Sequence, residues 1–234
     1  MNTNIELKEL QEYLADKTIS IVGSGTCIEN QEWGKEIDSH DVVIRINQSF
    51  RNTTWLDESK QKYVGKRTDI YIANGDTDVK RKWAVKAVGK YKVKYVLRLN
   101  PGAHGSASCS RLQSLLLKEV KNVYMAWDFR NELRKMINKE FNSKNPASGA
   151  ILIKWLTSNI KFKSISLYGF DFFNEFKNIT RWGPGGGGGN RIRYGKQNKF
   201  WNDYQSSWRG CHDVEEEKKF FRRYIDKYNI THKI

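Results

Sequence analysis

Cysteine is scarce: Cys27, Cys109 and Cys211 are spread over 234 residues, with no CxxC pair and no metal-ligand spacing. Such spacing offers neither a disulfide framework nor a zinc site, and it reads as reduced thiols in a cytosolic protein. Long hydrophobic runs are missing too, none approaching the ~20 residues that a membrane-spanning helix needs. The N-terminus from Met1 to Lys17 is acidic and mixed, unlike a signal peptide. The expected compartment is the cytoplasm. Acidic residues are too few for balance: 41 Lys and Arg face 26 Asp and Glu, a formal charge of +15. That excess suits anionic partners, whether nucleotides, nucleic acid or an anionic membrane surface, without choosing among them. Apolar material is not lacking. Hydrophobic residues make up 38% of the chain and aromatics 13%, enough for a packed interior and too much for global disorder. The length suits one well-cored domain over residues 1–234, with no internal repeat and no second domain.

Short runs rich in Val, Ile and Tyr punctuate the chain. Strands are expected at 18–22 (TISIV), 41–46 (DVVIRI), 68–73 (TDIYIA), 93–99 (VKYVLRL), 122–126 (NVYMA) and 164–168 (SISLY). Helical patterns lie among them, at 7–16 through Leu10, Tyr13 and Leu14, at 108–120, and at 128–141 through Phe129, Leu133, Met136 and Ile137. Two more cover 148–157 and 213–228, the second acidic in its first turn and basic later, as a helix dipole favours. Strands alternating with helices predict an α/β domain, Rossmann-like, with a mostly parallel sheet and helices on both faces. Arg181 to Asn190 (RWGPGGGGGN) has almost no side chains to pack, so a mobile loop is expected over about 181–196, either a spacer or a lid.

Ile19 to Val22 runs into Gly23-Ser24-Gly25, a turn whose backbone can approach a phosphate. The third glycine of the dinucleotide fingerprint is absent, which argues against a nicotinamide cofactor. Glu36-Ile37-Asp38-Ser39-His40-Asp41-Val42-Val43-Ile44-Arg45-Ile46-Asn47 then places Arg45 and Asn47 at a strand end, where open α/β sheets bind ligands. Alone, Arg45 reads as a surface residue or salt-bridge partner, and Asn47 as a turn residue. Asp76-Thr77-Asp78 spells a D-x-D, but a short acidic triplet does not make the oxygen cluster that a hard cation requires, and no metal is expected.

These stretches together resemble glycosyltransferase family 29, the animal-type sialyltransferases. Val22 to Asn47 is similar to the family's large sialylmotif, in which a VGNSG-like turn precedes a run like EIDSHDVVIRMN; Glu36 to Ile44 fits that run residue for residue. Val64-Gly65-Lys66-Arg67-Thr68-Asp69 resembles the VGxKT segment. Asn145-Pro146-Ala147-Ser148-Gly149 and Leu167-Tyr168-Gly169-Phe170 resemble the two parts of the small motif. Cys211 to Glu217 fits the very small motif H-x4-E through His212 and Glu217. The four motifs span residues 22 to 217 in order. This sequence departs from the pattern at Ser24, which replaces the motif asparagine, and at the cysteine pair that joins the large and small motifs, which is missing and fits a reducing, non-animal, microbial origin. Near Asn198-Lys199-Phe200-Trp201 the family's histidine is also absent.

What the resemblance implies is a GT-A-like, Rossmann-type glycosyltransferase that takes a sugar acid from a CMP-activated donor, without cofactor or metal. His212 is the expected general base, a role its ordinary pKa near ~6.5 suits. Ser24, Gly25, Asn47, Ser148 and Gly149 are expected at the donor, with Lys199 as a point charge for the phosphate in place of the missing histidine. Ser148 also reads as a plain helix N-cap, a role compatible with the first. Glu217, Arg45 and Gly169 are expected to support the site, and His40, ahead of a buried strand, to be structural. Expected partners are the CMP-sugar and a glycan or glycolipid acceptor, with peripheral contact to an anionic membrane. The resemblance implies sialic acid as the donor sugar, with Kdo as the alternative, since both present a carboxylate at the reacting centre. The rival from another class is a basic nucleic-acid-binding protein, to which the scattered Lys80-Arg81-Lys82 and Arg222-Arg223 lend weak support. The acceptor region is assigned to the Gly-rich loop and Trp182.

Overall fold

Four of the expected strands are runs of β-branched and apolar residues, short enough to be buried on both faces, and that is how they are used. The structure, a computed structural model, describes residues 3–23, 26–46, 58–72, 88–89, 91–98, 122–125, 136, 140–141, 146–170 and 214–233. Its strands are β1 (Thr18–Val22), β2 (Val42–Ile46), β3 (Ile70–Ile72), β4 (Tyr95–Arg98), β5 (Asn122–Met125), β6 (Ser164–Tyr168) and β7 (Ile230–Lys233). They form one sheet in the order β5-β4-β3-β2-β1-β6-β7, and every pairing is parallel. The register sets Ile19 beside both Val42 and Ile165, and Ile165 beside Ile230. β7 was not expected, because the helical pattern runs to position 228 and leaves too few residues to show an alternation.

The described helices are α1 (Thr3–Leu14), α2 (Gly34–Ser39), α3 (Gln61–Val64), α4 (Ser148–Asn159) and α5 (Val214–Lys227). The sheet separates two cores by strict alternation. Ile19 and Ile21, Ile44, Ile70 and Ile72, and Ile165 and Leu167 pack with Leu10 and Leu14 of α1 and with the apolar residues of α4 and α5. Val22, Val43, Tyr71, Val96 and Tyr168 face the other way, toward Ile37 of α2 and Val64 of α3. α5 is amphipathic: Phe220, Phe221 and Tyr224 are buried, while Lys219, Arg222 and Arg223 are exposed.

Strand order reverses at β1, which has β2 on one side and β6 on the other. In an open parallel sheet, such a reversal opens a crevice outside the carboxyl ends of the two diverging strands. Gly23 follows the end of β1 and Gly169 the end of β6, so these glycines mark the crevice. Helices α4 and α5 each precede a parallel strand and therefore begin at this same edge. The expected helices at 108–120 and 128–141, and the Gly-rich loop, lie almost entirely outside the described residues.

Candidate active site

The crevice is built around one aromatic ring. Gly23 donates its N–H to the Tyr168 carbonyl at 2.8 Å, which clamps the exits of β1 and β6 together. A Cβ on Gly23 would stand 2.6 Å from the Gly169 carbonyl oxygen and 3.2 Å from the Phe170 ring. Gly169 has φ of +69°, a left-handed conformation that a side chain would strain. The chain turns there and sends the Phe170 ring toward α4, where a Cβ on Gly149 would lie 2.7 Å from it. Phe170 also meets Phe221 of α5, ring centroids 5.7 Å apart. Its carbonyl oxygen accepts a hydrogen bond from His232 Nε2 at 2.6 Å. Phe170 thus touches the exit of β1, the start of α4 and the flank of α5.

The N-terminus of α4 is the second part. Ala147 occupies the N-cap position with extended backbone and no side-chain cap, and Ser148 is the first helical residue. The N-cap reading of Ser148 therefore does not hold. Helical bonding begins one residue earlier, with Ile151 N–H donating to the Ala147 carbonyl. The Ala147 N–H donates instead to Glu217 Oε1 at 2.7 Å, and Glu217 is 3% exposed. That bond joins the starts of α4 and α5. It brings the Ala147-Ser148-Gly149 turn beside the helix whose sequence follows directly on Cys211-His212-Asp213. A helix N-terminus that opens at a sheet's carboxyl edge presents N–H groups and a positive dipole end to an anion.

Arg45 does something else. It is fully buried and reaches the 64–68 segment. Its Nε donates to the Arg67 carbonyl and to Thr68 Oγ1, both at 2.9 Å, and its second terminal nitrogen donates to the Val64 carbonyl at 2.7 Å. Burial pushes the guanidinium down to about 10, against the pull of Asp38, so it stays charged at neutral pH. The surface reading of Arg45 gives way to a buried strut between β2 and the 64–68 turn. His40 is structural, as expected: Nδ1 lies 2.8 Å from the Glu36 carbonyl and Nε2 3.1 Å from Ser166 Oγ.

Beside it, the Glu36 carboxylate accepts from Tyr168 Oη at 2.9 Å and pairs with Lys233 Nζ at 3.0 Å. Partial burial raises its pKa, but the bonds from Lys233 and Tyr168 outweigh that and hold the carboxyl below its ordinary value. Burial, helped by this carboxylate, pushes the Tyr168 phenol well up.

Ser24, Gly25, Asn47, Lys199 and His212 lie outside the described residues, as do Trp182 and Asp76-Thr77-Asp78. Among the described residues, no group of three or more His, Cys, Asp or Glu is arranged to hold a metal ion, and no helix is long and apolar enough to cross a membrane. Phe170 stands within the Leu167-Tyr168-Gly169-Phe170 motif with no role implied for it, and His232 stands outside every motif. The signal available for Phe170 was its position directly after a glycine at a strand exit; for His232 there was none.

A family model described as Glycosyltransferase family 29 (sialyltransferase) matches residues 6–228. Among solved structures, the chain is similar to a mammalian sialyltransferase in complex with Gal-beta-1-3GalNAc-ortho-nitrophenol, at 15% identity and a TM-score of 0.50, covering 99% of this chain and 79% of that one. A second mammalian sialyltransferase structure aligns at 16% identity and a TM-score of 0.48, with the same coverage. No curated protein sequence matches.

Proposed function

The chain belongs to glycosyltransferase family 29 and is a glycosyltransferase, and from that premise we propose that it moves a 2-keto sugar acid from a CMP-activated donor to a glycan hydroxyl, with inversion and without a metal. The observation that carries this reading is the 2.7 Å bond from Ala147 N–H to Glu217. It links the turn assigned to the donor phosphate with the helix that follows the assigned base, at the sheet edge where α/β ligands bind.

The donor's anomeric carbon bears a carboxylate and a phosphate leaving group. As the acceptor oxygen attacks from the opposite face, its bond to that carbon forms while the bond to the phosphate oxygen breaks. CMP departs with the electron pair, and the hydroxyl proton passes to His212. An imidazole is neutral for much of the range near pH 7, and the position just ahead of the α5 N-terminus favours the neutral form that a base requires. Glu217 holds the two helix starts together and takes no part in the chemistry. The N-terminal amides of α4, with the Ser148 hydroxyl, receive the phosphate as its charge grows. Lys199 adds a point charge there, and Asn47, Ser24 and Gly25 hold the nucleotide. Sialic acid and Kdo present the same carboxylate at the reacting centre, and sialic acid is the sugar favoured by the family. The +15 charge would keep the enzyme near an anionic membrane that displays lipid-linked acceptors.

The test is CMP release from a panel of CMP-sugars, with and without acceptors and with and without EDTA. His212→Ala should lower turnover by about 10²- to 10⁴-fold while leaving CMP affinity intact, the usual range for losing a general base. Undiminished turnover in that variant removes His212 as the base, and loss of activity in EDTA removes the metal-free mechanism.

A further inference from the structure

We infer that His232, on β7 and outside every motif, is a positioning residue for the donor site, acting through the carbonyl of Phe170; the inference rests on the donor reading above. β7 pairs with β6 so that His232 stands beside Leu167 and Lys233 beside Tyr168. β6 ends there, and the chain continues through Gly169 into the Phe170 turn, beyond the last ladder pair among the described residues. The His232 side chain reaches past the last ladder pair and places Nε2 2.6 Å from the Phe170 oxygen. A carbonyl oxygen only accepts, so Nε2 carries the proton in this bond.

The bond matters because of what the ring of the same residue does. Phe170 fills the space beside two glycines on separate elements: Gly23 at the exit of β1 and Gly149 at the start of α4. With the carbonyl fixed, the residue has one orientation, and the ring sets the spacing between the glycine turn and the α4 N-terminus. Release of the carbonyl lets the left-handed turn at Gly169 relax, and the ring then loses its fixed seat between the two backbones. His232 touches no substrate. It acts by holding the spacer.

A side-chain series in the full chain separates positioning from general stability. The Gln amide reaches about as far as imidazole Nε2, whereas the Asn amide falls short. His232→Gln should therefore keep KM for the CMP-sugar near wild type. His232→Asn and His232→Leu should raise it by about tenfold with little change in kcat, the worth of one well-aligned hydrogen bond. Amide hydrogen exchange supplies a readout that needs no ligand. Residues 146–151 and 168–170 should exchange faster in His232→Asn than in His232→Gln, with 42–46 unchanged. Equal KM and equal exchange in the Gln and Asn variants would overturn the proposal, and so would a wild-type KM in His232→Asn. Should the wild-type protein bind neither CMP nor a CMP-sugar, the donor reading fails alone; the exchange contrast still decides whether His232 positions the turn.

Discussion

Two regions of this molecule use their side chains in opposite ways. The α2–β2 segment, residues 34–46, is rich in polar groups, and nearly all of them are spent on the protein itself. Glu36 binds Tyr168 and Lys233, and Asp38 accepts from the backbone of Lys66 and Arg67. His40 meets Ser166, Asp41 binds the backbone and hydroxyl of Thr18, and Arg45 holds the 64–68 turn. The carboxyl edge is built the other way. Gly23, Gly149 and Gly169 present bare backbone, spaced by the ring of Phe170 and pinned by Glu217 and His232. The run from Glu36 to Arg45, the longest continuous match, is therefore wiring for the fold, and the crevice is framed by short turns far apart in sequence. Length of a motif and closeness to chemistry are different properties here.

Arg45→Ala should show the largest effect of the contrast. It strips charged donors from one buried carbonyl, one part-buried carbonyl and a hydroxyl, each bond worth about 1.5–3 kcal/mol, and stability should fall by about 3–5 kcal/mol. Against the ~5–15 kcal/mol of a typical domain, much of the fold is at stake. The urea midpoint measures it, and Arg45→Lys should recover only part, because one ammonium cannot reproduce the planar fork. A variant with an unchanged midpoint but lost CMP affinity would move Arg45 from the wiring to the site.

Glu217→Ala sharpens the comparison from the other side, with a middle-sized effect. Leaving the Ala147 N–H without its carboxylate should cost about 1–3 kcal/mol, and the donor KM should rise with it. Glu217→Gln keeps an acceptor oxygen at the same place and should restore most of both. If Glu217→Ala lowers the melting temperature without touching KM, the link between α4 and α5 is wiring too.

The strands of the central sheet were legible because they are short runs rich in Val, Ile and Tyr bounded by Gly, Asn or Asp, and the alternation of Ile44 and Arg45 across β2 is visible in the letters. The order of the strands was not. Parallel pairing joins segments as distant as Ser20 and Ser166, and no local pattern records it. β7 and α2 are too short for a period to show, at 4 and 6 residues. The turn at Gly23 was legible as a strand running into glycines, whereas those at Ser148-Gly149 and Gly169 were found through the family resemblance. What escaped was the residue between them: the wedge role of Phe170 depends on the packing of three separate elements. The burial of Arg45 escaped for a related reason, since two of its hydrogen bonds go to carbonyl groups, which every residue carries and no sequence marks.

The smallest expected effect tests whether the wiring responds to acid separately from the site. The Glu36 carboxyl titrates below its ordinary value of 4.5 in the folded chain. A depressed carboxyl contributes stability that is fully present above the unfolded value and is lost as pH falls through the folded one. Its side chain is 41% exposed, so the contribution is screened and modest. Glu36→Gln keeps an acceptor for Tyr168 but gives up the pairing with Lys233 and the titration. Wild-type melting temperature should therefore fall more steeply than that of Glu36→Gln on acidification from about pH 5 to about pH 3, the two curves converging at the acid end. Parallel curves would show that Lys233 and Tyr168 do not hold Glu36 in its charged form. A difference confined to CMP affinity at acid pH, with parallel melting curves, would place Glu36 in the service of the crevice, and the boundary between the two regions would have to be redrawn through α2.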